Sequence, residues 1–225
     1  MIVVVCPGQG SQTPGFLAPW LELDGAADRL AAFSDAAQVD LATHGTQSDA
    51  DTIRDTRIAQ PLIVAASILA WEQLLQGAPR PAGVAGHSVG EIAALVAAGV
   101  IDAETGMRIV GVRGRAMADA AALAETGMSA VVGGDEQQVL QAISDNGLTP
   151  ANYNGGGQIV AAGELPALAA LAEQAPRGAR VIPLQVAGAF HTDFMAPAQD
   201  ALRAAVSDAT GVTEPTLPLW TNSDG

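Results

Sequence analysis

Apolar positions along the chain recur at two spacings. Ile2–Cys6 is a β-branched run closed by Pro7-Gly8-Gln9-Gly10, the pattern of a buried strand feeding a Gly-rich loop. Helical spacing follows over Gly25–Phe33. It returns, longer, from Arg57 to about Gln76, where Ile58, Leu62, Ile63, Ala66, Leu69 and Leu74 recur. After Arg80-Pro81 a second strand is expected over Ala82–Gly86, a helix opens after Ser88, and another runs from about Ala103 to Ala122. Strand and helix in alternation predict an α/β domain with parallel strands.

From Gly127 the texture changes. Met128–Val132 reads as a strand, Gly133-Gly134-Asp135 as a turn with a helix cap, and Glu136–Ser144 as a helix with Val139, Leu140 and Ile143 on one face. Thr149–Asn154 and Gln158–Ala162 are extended segments joined by three glycines, followed by a helix over Leu165–Gln174 and a strand over Arg180–Leu184. That order is the split βαβ, or ferredoxin-like, unit. The expected organisation is a large α/β subdomain from residues 1–124 and 188–225, with a small insert at 125–187. In the returning segment Asp193–Val206 reads as a helix and Thr216–Thr221 as a strand.

Length and composition narrow the class. With 225 residues, 49% of them apolar and 15% charged, the chain is long enough to bury its own core and too apolar to be disordered. A single cysteine, Cys6, excludes an internal disulfide framework and a cysteine-rich metal site. The longest apolar run, Ile92–Ile101 with Gly99 inside it, falls short of the roughly 18 residues of a membrane span. Met1–Pro7 carries neither a basic leader nor a cleavage site, so a cytoplasmic protein with no membrane partner is expected. All ten cations are arginines, against 24 carboxylates, and a net charge of −14 repels a phosphate backbone. Nucleic acid is therefore not an expected partner.

Gly86-His87-Ser88-Val89-Gly90 has GxSxG spacing, follows an apolar strand and opens a helix, which is the setting of a nucleophile elbow. The helix N-terminus offers positive potential and free N–H groups beside Ser88. The competing reading is an ordinary helix-capping serine. A nucleophilic serine needs a base, and the chain has three histidines. His87 adjoins Ser88 on a turn that sends the two side chains apart, and His44 lies in a polar stretch. His191, in Gly188-Ala189-Phe190-His191-Thr192, is the best candidate, with a structural histidine as the alternative. Asp193 is too near in sequence to serve it and reads as a helix N-cap.

An acyl-transfer oxyanion needs two N–H donors. Val89, after the nucleophile, can supply one and Gln9 in the Gly-rich loop the other. That loop otherwise reads as a plain turn, and it lacks the lysine of a nucleotide-binding loop. In the helix over 103–122, Arg108 and Arg115 share a face while Arg113 lies elsewhere, among Val112, Gly114 and Met117. A guanidinium in apolar surroundings calls for a carboxylate, from this chain or from a substrate.

Several stretches jointly carry a family resemblance: Pro7-Gly8-Gln9-Gly10-Ser11-Gln12, Ala59-Gln60-Pro61, Gly86-His87-Ser88-Val89-Gly90-Glu91, Arg113-Gly114-Arg115-Ala116-Met117, Asn152-Tyr153-Asn154 with Gly157-Gln158-Ile159-Val160, and Ala189-Phe190-His191. In this order, and across essentially the whole chain, they resemble the malonyl-CoA:acyl carrier protein transacylases. The resemblance implies a hydrolase-like large subdomain with a parallel sheet and an inserted ferredoxin-like small subdomain. It implies Ser88 as the acyl-carrying nucleophile, His191 as its general base, the backbone N–H groups of Gln9 and Val89 as the oxyanion hole, and Arg113 as the partner of the substrate carboxylate. Phe190 is similar to the residue of malonyl-selecting members, where methylmalonyl-selecting relatives carry a smaller one. Malonyl-CoA is the implied substrate and acyl carrier protein the implied partner, in fatty-acid or polyketide synthesis, with no tightly bound cofactor and no metal. The family's fold continues past the position of Gly225, so a C-terminal part of it is expected to be missing here.

Two other readings compete with transfer. A serine esterase or thioesterase would use the same elbow, but no convincing triad acid follows Ser88 and Arg113 has no role on a neutral ester. A non-catalytic module that binds carrier protein would not need both Ser88 and His191. Because carrier proteins are acidic, Arg177 and Arg180 are the candidate local basic patch.

Overall fold

The chain's apolar runs and caps resolve, in a computed structural model that describes residues 1–77 and 79–222, into alternating strands and helices. In chain order they are β1 (Val3–Cys6), α1 (Ala26–Ala37), α2 (Leu41–Thr46), α3 (Thr56–Gly77), β2 (Gly83–Gly86), α4 (Gly90–Ala97), α5 (Ala103–Ala121) and β3 (Thr126–Gly133). There follow α6 (Glu136–Asp145), β4 (Thr149–Gly155), β5 (Gln158–Glu164), α7 (Leu165–Glu173), β6 (Ala179–Pro183), α8 (Ala196–Ser207) and β7 (Leu219–Trp220). The chain divides into two units, Met1–Arg115 with Asp200–Gly225, and Ala116–Gln199.

In the first unit β1, β2 and β7 form a parallel sheet in the order β1-β2-β7. A parallel neighbour requires a long crossover, and helices supply the return from β1 to β2. The core between sheet and helices is built from Phe33, Leu62, Ile63, Ile68, Val84, Val89 and Met107. By length and composition alone α3 would cross a membrane. Gln60, Ser67 and Glu72 interrupt its apolar run, which is why no such segment is visible as a continuous stretch. Leu62, Ile63, Val64 and Ala65 are buried in the core of this unit. Asp102 accepts the Thr105 N–H (2.6 Å) at the start of α5, which holds its carboxyl below the usual aspartate range.

One expectation fails in this unit. β1 is not a buried strand: Val3 and Val5 are 39% and 65% exposed, while Cys6 is buried and Val4 half-buried. Successive side chains of a strand point to opposite faces, so only the Val4 and Cys6 face meets the core. Within the described residues β1 also has a single strand neighbour, β2. The last strand, expected over Thr216–Thr221, pairs only at Leu219–Trp220. α2, which falls in the polar stretch around His44, was not anticipated; Asp40 caps it by accepting the Thr43 N–H (3.0 Å).

The second unit carries a four-stranded antiparallel sheet in the order β4-β5-β3-β6. Each helix returns the chain so that β3 and β4, and likewise β5 and β6, run the same way with one opposing strand between them. This is the ferredoxin-like arrangement. Asp135 caps α6 by accepting the Gln138 N–H (3.1 Å). Along β5 the side chains alternate: Ile159 and Ala161 pack with Val139, Ile143, Leu168 and Leu171 of the two helices, while Val160 and Ala162 pack with Met117, Met128, Phe190 and Met195. A second correction falls here. Asp193 is not the cap of the returning helix. Thr192 caps instead a single 3-10 turn over Asp193–Met195, accepting the Phe194 N–H (3.3 Å), and α8 begins only at Ala196.

Candidate active site

β2 ends at Gly86 and α4 begins at Gly90, so the chain must reverse within three residues. It does so with Ser88 in the left-handed region, at φ +53°, a conformation that residues with a Cβ rarely adopt. The flanking glycines are required by contact. A Cβ on Gly86 would overlap the backbone of Gly90 and Glu91, and a Cβ on Gly90 would overlap the carbonyl of Cys6 at the end of β1. His87 donates its N–H to that same carbonyl (3.0 Å), which anchors the turn to the sheet.

The Gly-rich loop after β1 approaches the turn just as closely. A Cβ on Gly8 would lie 2.6 Å from the His87 ring Nδ1. This approach brings Gln9 next to the turn. Its Nε2 donates to Thr56 Oγ1 (3.2 Å), and its Oε1 accepts from Gln60 Nε2 (3.5 Å).

Arg113 reaches the site because α5 has no side chains where it crosses α1 and α3. A Cβ on Gly111 would overlap the Ala37 carbonyl, and one on Gly114 would sit 2.9 Å from the Thr56 carbonyl. Arg113 Nη1 donates to Gln60 Oε1 (2.6 Å) and Nη2 to Ser88 Oγ (3.3 Å). The ion pairs among the described residues join Arg29 to Glu72, Arg54 to Asp51 and Arg57 to Asp55, and Arg113 is in none of them. Desolvation lowers its pKa to about 10, with the Glu91 carboxylate acting in the opposite direction. The other two arginines of α5 serve structure: Arg115 donates to the Ala37 carbonyl at the end of α1 (2.7 Å), and Arg108 to Thr105 Oγ1 (2.6 Å).

Ser88, Val89, Gln9 and Arg113 thus lie together in the first unit. Val89 is buried and immediately precedes α4. His191 and Phe190 belong to the second unit. There the Ala189 N–H donates to Thr126 Oγ1 (3.0 Å) and Thr192 Oγ1 donates to the Ala189 carbonyl (2.6 Å), which fixes the loop on both sides of His191. His191 is exposed and also left-handed (φ +61°), whereas Phe190 is 5% exposed. His44 is remote in role, with its Nδ1 3.0 Å from Ser48 Oγ. Among the described residues no group of three or more His, Cys, Asp or Glu side chains could hold a metal ion.

Sequence reasoning missed two contributors. Gln60 is 1% exposed and links Gln9 to Arg113; its signal was a lone amide between Ala59 and Pro61 in an apolar helix. Asn222 hydrogen-bonds the turn itself, and nothing local announces it.

Comparison with known proteins places these residues in context. Residues 3–223 match the family described as acyl transferase domain. The chain is 54% identical to malonyl CoA-acyl carrier protein transacylase of Mycobacterium tuberculosis, over all of this chain and 75% of that protein. It is 36% identical to the Escherichia coli protein of the same name, over 98% of this chain and 74% of that one. Its fold matches the crystal structure of MCAT from Mycobacterium tuberculosis with a TM-score of 0.94 at 53% identity, covering 99% of this chain and 74% of that one. It also matches a malonyl-transacylase in complex with its type II PKS acyl-carrier protein, with a TM-score of 0.89 at 32% identity, covering 97% and 73%.

Proposed function

This chain belongs to the malonyl CoA-acyl carrier protein transacylases of the acyl transferase family, and we propose that the malonyl group it moves between these carriers is held in transit as an ester on Ser88. The observation that carries the assignment is the left-handed Ser88, set on the strand-to-helix turn with its Oγ 3.3 Å from a guanidinium that has no carboxylate partner among the described residues. A nucleophile and a site for the free carboxylate of malonate are thereby adjacent.

In this reading Ser88 Oγ attacks the thioester carbonyl of malonyl-CoA as its proton passes to His191, the general base. The carbonyl electron pair moves onto oxygen, where the N–H groups of Val89 and Gln9 stabilise it. Collapse breaks the carbon–sulfur bond, and the CoA thiolate takes the proton from the imidazolium. The phosphopantetheine thiol of acyl carrier protein then gives its proton to His191 and attacks the ester, and Ser88 leaves with that proton. One thioester replaces another in a ping-pong cycle. Arg113 holds the malonyl carboxylate throughout, and Phe190 limits the group to malonyl over larger branched acids. Arg177 and Arg180, both exposed, are the proposed contact for the acidic carrier.

Incubation with malonyl-CoA followed by intact-mass measurement and peptide mapping tests the nucleophile. The expected result is one malonyl group on Ser88 and none on Ser88→Ala. A malonyl mass on the variant, or none on the parent, would refute the assignment.

A further inference from the structure

Ser88 does not hold its left-handed backbone unaided. We infer that Asn222 is a positioning residue for the nucleophile, acting on the turn through three hydrogen bonds; the inference rests on Ser88 being that nucleophile. β7 runs parallel to β2 with Trp220 opposite Ala85. Two residues further along each strand, Asn222 comes level with His87, and its side chain meets the turn. Its Nδ2 donates to the Gly86 carbonyl (2.6 Å), its Oδ1 accepts the Ser88 N–H (3.2 Å), and its own backbone N–H donates to Glu91 Oε1 (2.7 Å).

A carboxamide has one donor end and one acceptor end. The turn offers a carbonyl at Gly86 and an N–H at Ser88, so the partners themselves fix which way the amide points. Asn222 therefore ties together the last residue of β2, the nucleophile and the first turn of α4. Without it, the peptide before Ser88 loses its acceptor at a position whose backbone conformation is disfavoured. The direction of Oγ, and with it the 3.3 Å contact to Arg113, would no longer be set. The engaged Ser88 N–H also leaves the oxyanion to other donors, in keeping with Val89 and Gln9.

The competing role is purely structural, in which Asn222 only fastens β7 to the sheet. Leu219→Ala weakens the same strand three residues before Asn222, where it lies opposite Val84, and serves as the matched control. The measurements are single-turnover malonyl transfer to Ser88 by rapid quench, malonyl-CoA affinity in a Ser88→Ala background, and thermal midpoint. Misplacing a reacting atom costs on the order of a hundredfold in rate, so Asn222→Ala should slow acylation by roughly ten- to a hundredfold while affinity stays within about twofold. Asn222→Asp, which turns an acceptor toward the Gly86 carbonyl, should fall at least as far. Leu219→Ala should lower the midpoint and leave acylation unchanged. Acylation of Asn222→Ala at the parent rate, or an equal slowing in Leu219→Ala at equal loss of midpoint, would overturn the inference. A parent enzyme carrying no malonyl on Ser88 would overturn the nucleophile assignment and this inference with it.

Discussion

Removing the Arg113 side chain should convert a malonyl-selective enzyme into one that no longer distinguishes malonyl from acetyl groups. The guanidinium spends one N–H on Gln60 (2.6 Å) and one on Ser88 Oγ (3.3 Å), and no carboxylate of the described chain pairs with it. Its pKa, lowered to about 10 by desolvation, still leaves it fully charged near neutral pH. A malonyl carboxylate would supply the missing anion. Hydrogen bonds to charged groups are each worth about 1.5–3 kcal/mol, and a tenfold rate change corresponds to about 1.4 kcal/mol. Arg113→Ala should therefore lower kcat/KM for malonyl-CoA by roughly ten- to 150-fold. Acetyl-CoA carries no carboxylate, so its kcat/KM should fall far less, and the acetyl-to-malonyl ratio should rise by a similar factor. Competition assays with both thioesters, with the thermal midpoint recorded in parallel, read the ratio directly. In the parent the ratio should stay flat across neutral pH, because the guanidinium loses its proton only as pH rises through about 10. An equal fall for both substrates would show that Arg113 serves structure alone.

Gly90→Ala places a methyl group against the Cys6 carbonyl, where only backbone can move; a cost of about 1–3 kcal/mol or more and loss of acylation are expected. Urea unfolding and rapid quench check both, and parent-like values would contradict the packing argument. Asp102→Ala should cost about 0.5–2 kcal/mol by removing the acceptor for the Thr105 N–H. Because that carboxyl is held below its usual value, its contribution is present above about pH 4 and lost as pH falls through the lowered pKa, so the stability gap between parent and variant should close in acid. The Cys6 thiol, pushed up to about 11 by burial, should resist iodoacetamide at pH 8 in the native protein and react after unfolding. Native ionisation being disfavoured, stability should also decline as pH rises from the ordinary thiol value toward 11.

The parts of the molecule that were legible in advance are those whose signal is local. GxSxG after an apolar strand announced the turn at Ser88, and the helical spacing over residues 57–76 announced α3. The glycine triplet at 155–157 between two extended segments announced the hairpin of β4 and β5. A run of valines has no polar position to mark its outward face, so Val3 and Val5 read the same as Val4, and β1 reads as buried on both faces. Asp193 reads as a cap because its residue type caps helices, but only the backbone decides which hydroxyl or carboxylate meets an N–H, and here it is the neighbouring Thr192. Gln60 and Asn222 act across 53 and 134 positions of sequence, through helix packing and the parallel register of β2 with β7. No window along the chain contains that information.

We propose that the malonyl ester on Ser88 is passed to a carrier thiol and not lost to water. Malonyl-enzyme freed of CoA by gel filtration and then mixed with holo acyl carrier protein tests it in one turnover. The malonyl group should leave Ser88 and appear as a thioester on the carrier's phosphopantetheine, at a rate that depends on carrier concentration. Release of free malonate at a rate indifferent to the carrier would contradict it.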